Sequence, residues 1–145
     1  MSIFYVLVAK RPDVVLAEYS EHSGNFVQIA VDLLKRIEPE TKKTFELQEY
    51  LFHYIDEDGL ILLCMTDKMM QKRIAFTFLA DVRKRLQETY SAFELQNAKY
   101  NGLKTFKSEL RQKMVSYCSY LVTLIHFLLF RSHLIRFLFS LGSLQ

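Results

Sequence analysis

The spacing of apolar residues changes period several times along the chain, and each change marks an element. Ile3 to Ala9 is a nearly unbroken apolar run, Val14 to Tyr19 is a second, and the KRPD between them is a turn in which Pro12 presets φ and Asp13 suits the second corner. After Gly24-Asn25 the period lengthens. Phe26, Ile29, Ala30, Leu33 and Ile37 recur at helical spacing, and Pro39 stops the helix. Thr44 to Leu47 is a short third strand. The most telling stretch is YLFHYIDEDGLILLCMTD, Tyr50 to Asp67, where two β-type runs flank Asp58-Gly59, a pair suited to the positive φ angles of a two-residue hairpin turn. In the first of these strands Leu51, His53 and Ile55 point to one face and Tyr50, Phe52 and Tyr54 to the other. In the second, Leu60 to Met65 is apolar throughout, as expected of a strand covered on both faces near the middle of a sheet. Ala75, Phe78, Leu79, Val82 and Leu86 then make one face of a second helix, with Thr66 or Asp67 as its expected N-cap. Phe106 and Leu110, between Lys104 and Lys113, predict a shorter third helix. The order ββαβββαα predicts an α+β domain, a five-stranded mixed or antiparallel sheet with helices packed on it.

At 145 residues, half of them hydrophobic, the chain can bury one ordinary core. Residues 1–113 carry 17 of the 19 basic and all 16 acidic residues, so this part is close to neutral. A nucleic-acid binder concentrates its basic residues on one face, and the best candidate here, DVRKRLQ at 81–87, reads as a solvated helix face. Cys64 and Cys118 are too far apart in the pattern to suggest a disulfide framework. Enzymatic readings fare no better. Asp56-Glu57-Asp58-Gly59 lacks the ligand spacing of a calcium loop, the histidines and cysteines lack zinc spacing, and four glycines make no phosphate loop. His53 and Cys64 could meet across adjacent strands as base and nucleophile, but no orienting acid or oxyanion hole accompanies them. No cofactor, metal or small-molecule substrate is expected.

Four collinear segments carry a resemblance. GNF opening the first helix, YLFHYI in the fourth strand, LCMTD ending the fifth and AFTFLADVRKRLQETY in the second helix resemble the longin domain of long VAMP-type R-SNAREs, over about residues 2–113. The resemblance implies a profilin-like longin fold for residues 1–113 and a non-enzymatic domain that regulates SNARE assembly and sorting by binding SNARE segments or trafficking adaptors. It further implies a location on the cytosolic face of vesicles or endomembranes. In the family the binding site is a hydrophobic groove between the first helix and the third strand. The sequence lends that groove independent support. Beside the core face placed near Phe26, Leu33 and Ile37, a second apolar stripe of Val27, Val31 and Leu34 makes the apolar arc roughly twice the 100° that an ordinary surface helix needs. Val27, Val31, Leu34, Phe45 and Leu47 are therefore the expected partner-binding surface, with Lys35 and Lys43 as rim charges. The bland alternative is that loops or the third helix cover the extra stripe. A different role, as a structural subunit of a coat or tethering complex, is the alternative function, since longin-like domains also serve as scaffolds.

The remaining residues, 114–145, depart from the family pattern. A longin R-SNARE continues into heptad-patterned coiled coil, the means of SNARE zippering, and then an anchor. Here Met114 to Phe130 is a 17-residue stretch without a formal charge, and no acidic residue follows Glu109. As a helix that stretch reaches about 25 Å, against roughly 30 Å for a bilayer core. Three readings stay open: a short membrane anchor at 114–130 bounded by Lys113 and Arg131, a truncated or misspliced end replacing the SNARE segment from about Val115, and a helix that folds back into the groove.

Overall fold

Asp58 and Gly59 have φ angles of 54° and 76°, the positive pair that a tight hairpin turn requires. They join β4, Tyr50–Glu57, to β5, Leu60–Asp67, in continuous antiparallel register from Tyr50↔Asp67 to Glu57↔Leu60. The computed structural model that shows this describes residues 2–22 and 24–142, and within the last helix it leaves the side chains of 120–123, 125 and 126 undescribed. Around the hairpin lie β1, Ile3–Lys10, β2, Val14–Ser20, and β3, Lys42–Leu47. The sheet order is β2-β1-β5-β4-β3 with every pairing antiparallel, which decides between the mixed and antiparallel forms. β5 is central, and Leu60 to Met65 are all buried, as an apolar strand covered on both faces must be.

Helices cover the two faces unequally. On one face α1, Phe26–Leu34, packs over Tyr5, Leu7, Phe52, Tyr54, Ile61 and Leu63. On the other, α2, Lys72–Thr89, sets Phe78, Leu79, Val82 and Leu86 against Val6, Val8, Leu62 and Cys64. Two further helices follow: α3, Ala92–Asn97, and, after a short 3-10 turn at Lys104–Phe106, α4, Lys107–Gly142. α4 runs antiparallel beside α2: Arg85 holds Glu109 through two hydrogen bonds of 3.1 and 3.2 Å, and Asp81 accepts from Lys113 and Tyr117.

Three local expectations change. α2 begins at Lys72 after Gln71, not at Thr66 or Asp67, because β5 runs through both of those residues. The Asp67 carboxylate instead accepts from the Met69 and Met70 backbone N–H groups and fixes the turn ahead of the helix. α3 is a helix that the apolar spacing does not mark, although its capping box is explicit: Ser91 accepts from the Glu94 N–H, and the Glu94 carboxylate accepts from the Ser91 N–H. The expected short third helix is a 36-residue one that passes Lys113 without interruption, since no proline or glycine occurs between Lys107 and Gly142. Met114 is fully buried in the core and Tyr117 packs edge-on against Phe78 at 5.2 Å. From Phe127 to Gly142 every residue is exposed. Among the described residues no helix is long and apolar enough to cross a membrane; the stretch 114–130 includes the side chains at 120–123, 125 and 126, which lie outside that description.

Candidate binding groove

β3 is an edge strand, and its alternation divides it. Lys42 and Thr44 face α2, with the Lys42 ammonium 4.5 Å from the centre of the Phe76 ring, while Phe45 stacks on Tyr54 on the α1 side at 5.7 Å. α1 lies over the neighbouring strands rather than over β3. Between them opens a groove of about 570 Å³, whose apolar wall is Ile29 and Leu33 of α1, Phe45 and Leu47 of β3, and Phe52 and Tyr54 of β4. Its rim carries both signs of charge: Asp32 and Arg36 on the helix side, Glu38, Lys43 and Glu46 on the other. Lys43 pairs with Glu38 at 3.0 Å, so it is partly neutralised before any ligand arrives, and Lys35 does not line the groove.

The five residues expected here are distributed among three settings. Phe45 and Leu47 line the groove, Leu47 with 42 % of its surface exposed. Leu34 is buried in the core with Ala30 and Ile37. Val31 is half-buried against the same core, and Val27 is 41 % exposed away from the groove. Ile29 and Leu33 occupy the wall that Val31 and Leu34 were expected to form. The cause is the turn of α1 about its axis. An apolar arc of about 200° contains more than one direction that could face a sheet, and the small Ala30, fully buried, marks the line of closest approach. That line brings Leu34, one turn on, into the core and leaves Ile29 and Leu33 at its edge.

Residues 16–110 match the longin family, described as a regulated-SNARE-like domain. The chain belongs to the longin family. Its longin domain is 45 % identical over 91 residues to vesicle-associated membrane protein 7B of Dictyostelium discoideum, a match covering 62 % of this chain and 35 % of that protein. It is 38 % identical over 93 residues to human vesicle-associated membrane protein 7, covering 63 % of this chain and 42 % of the relative. Against vesicle-associated membrane protein 712 of Arabidopsis thaliana the identity is 42 % over 92 residues, with 62 % and 42 % covered. The chain thus spans well under half the length of these curated relatives, and the homology lies in its longin domain.

Most other polar groups inside the longin domain have structural partners; among the described residues one buried side-chain oxygen, Asp56 Oδ1, has no hydrogen-bond partner. His53 is fully buried beneath Phe76, and both of its ring nitrogens are engaged: Nδ1 is 2.9 Å from Thr44 Oγ1 and Nε2 2.9 Å from Thr66 Oγ1. Because the Thr66 hydroxyl donates to the Asp67 carbonyl, it accepts from His53 Nε2–H, and Nδ1 in turn accepts from Thr44. The ring is therefore neutral, and burial, helped by the nearby Lys72 charge, lowers its pKa to about 4. Cys64 sits opposite His53 in the register, with its thiol pushed up by burial. A thiol held protonated beside an imidazole whose lone pair is taken is a poor nucleophile. Asp56, also buried, is paired with Arg11, which donates a second hydrogen bond to the Ile37 carbonyl at 2.9 Å. These contacts tie the first turn and the end of α1 to β4. Among the described residues no cluster of histidine, cysteine and acidic side chains is placed to hold a metal ion.

Proposed function

We propose that this chain is a non-enzymatic regulatory and binding protein of vesicle-mediated transport, and that its α1–β3 groove takes an apolar segment of a SNARE protein or of a trafficking adaptor. The observation that carries this reading is the groove itself, with Ile29, Leu33, Phe45 and Leu47 presented between charged rims. Apolar anchors in such a groove supply affinity, and the mixed rim selects orientation. Homology to vesicle-associated membrane proteins supports the setting, the cytosolic face of vesicle or endomembranes. The apolar C-terminal part of α4, beyond its packing on α2 at Tyr117, would tether the domain there.

Leu47→Asp is the informative substitution, because the side chain is partly exposed and contributes to the groove more than to the core. In a titration of the full chain with a fluorescent SNARE-segment peptide, Leu47→Asp and Leu33→Asp are expected to weaken binding at least tenfold. Val27→Asp, on a side chain equally exposed but outside the groove, should leave it unchanged. Loss of a desolvated apolar anchor has that size, about 1.5–3 kcal/mol. Equal binding by Leu47→Asp and the unaltered chain would remove the groove from the account.

A further inference from the structure

We propose that the end of the domain where α2 begins and α4 departs is a docking surface for an anionic membrane. The proposal deepens the tethering role given to α4 above, and it names both the lipid class and the residues that read it.

Three observations meet at this end of the molecule. The antiparallel packing of α2 and α4 means that α4 leaves the domain past the first turn of α2: Arg73, Ile74 and Thr77 line a groove with Ser116, Tyr117 and Leu124. That first turn carries Lys72 and Arg73, both exposed, and among the described residues neither is held in an ion pair. Met69 stands beside them with 76 % of its surface in solvent, while the neighbouring Lys68 is already offset by Glu46 at 2.9 Å. The helix that departs there is apolar, is exposed from Phe127 onward and carries only cationic charges. No acidic residue follows Glu109, whereas Arg131 and Arg136 do.

The distal helix is also two-sided. Ser132, Arg136 and Ser140 recur every four residues, with His133 alongside, so one stripe is polar. Phe130, Leu134, Phe137, Leu138 and Leu141 centre on another side, and Ile135 and Phe139 extend the apolar surface round to Ser132, so the polar stripe is narrow; all seven are exposed. Placing Arg131 and Arg136 at the centre of a bilayer costs about 2.5–3.5 kcal/mol each on insertion scales. Lying in the interface avoids that cost, with the apolar side among the acyl chains and the polar stripe among the headgroups. Arg131, on the apolar side, reaches the headgroups through its flexible stem. Lys72, Arg73 and Met69 then form a collar at headgroup level, and the negative surface potential attracts both of its charges.

The test is vesicle co-sedimentation of the full chain with phosphatidylcholine vesicles, with and without phosphatidylserine. The unaltered chain is expected to bind the anionic vesicles more tightly and to lose that preference in high salt. A basic side chain near an anionic surface is worth about fivefold in affinity, so Lys72→Gln with Arg73→Gln should lose about 25-fold on anionic vesicles. Binding to neutral vesicles should not change. Lys84→Gln with Lys107→Gln, the same charge removed from exposed positions on the two helices away from the collar, should behave as the unaltered chain. Thermal melting by circular dichroism should show all variants equally folded. Equal binding to the two vesicle types, or indifference to the Lys72/Arg73 substitution, overturns the docking surface while leaving the tether intact. Binding to neither type overturns the tether as well.

Discussion

His53 shows what a single buried polar residue does here. Its pKa is lowered from 6.5 to about 4, so the folded chain keeps the ring neutral while the unfolded chain protonates it. Stability from this group is therefore present in full above about pH 6.5 and is lost as pH falls toward 4, where the unfolded state binds the extra proton. Urea midpoints at pH 7 and pH 5 should fall further for the unaltered chain than for His53→Gln, which has no proton to gain. An equal fall in both would mean that the ring is not held neutral by its surroundings. His53 was visible in the sequence as a strand residue, but its role was not. The two hydroxyls that satisfy it come from Thr44 and Thr66 on the strands to either side, and only register places them there.

At the scale of elements, α1 is where pattern and packing part company. Its periodicity announced a helix and an unusually wide apolar arc, yet the direction of that arc toward the sheet came from Ala30, which carries little weight in a hydrophobic pattern. Ala30→Leu is expected to force α1 away from the sheet and destabilise the fold by about 1–3 kcal/mol, as overpacking does. It should also displace Leu33 and so weaken peptide binding in the groove. A midpoint matching that of the unaltered chain would show that the helix has room to spare at this line. The hairpin is the opposite case. Asp58-Gly59 and the apolar run after it determine their strands and turn locally, so β4 and β5 lie where the pattern put them.

For the molecule as a whole, the informative residue is Met114. An end of the domain at Lys113 would make Met114 the first residue of a tail, and Met114→Ala would then be nearly silent. Its complete burial beneath α2 predicts a loss of about 2–5 kcal/mol instead, read as a lower denaturant midpoint. The sequence by itself determined the strands, the first two helices and the longin family, because period, turn chemistry and collinear motifs are properties of neighbouring residues. It also determined that the C-terminal stretch is apolar and lacks acidic residues. Tertiary structure alone decided that β5, besides its hairpin partner β4, pairs with β1, that Leu33 rather than Leu34 walls the groove, and that α4 leaves the domain beside Lys72 and Arg73. Those facts depend on which surfaces meet across long sequence separations, and the best packing of side-chain volumes selects among arrangements that a one-dimensional pattern leaves equivalent.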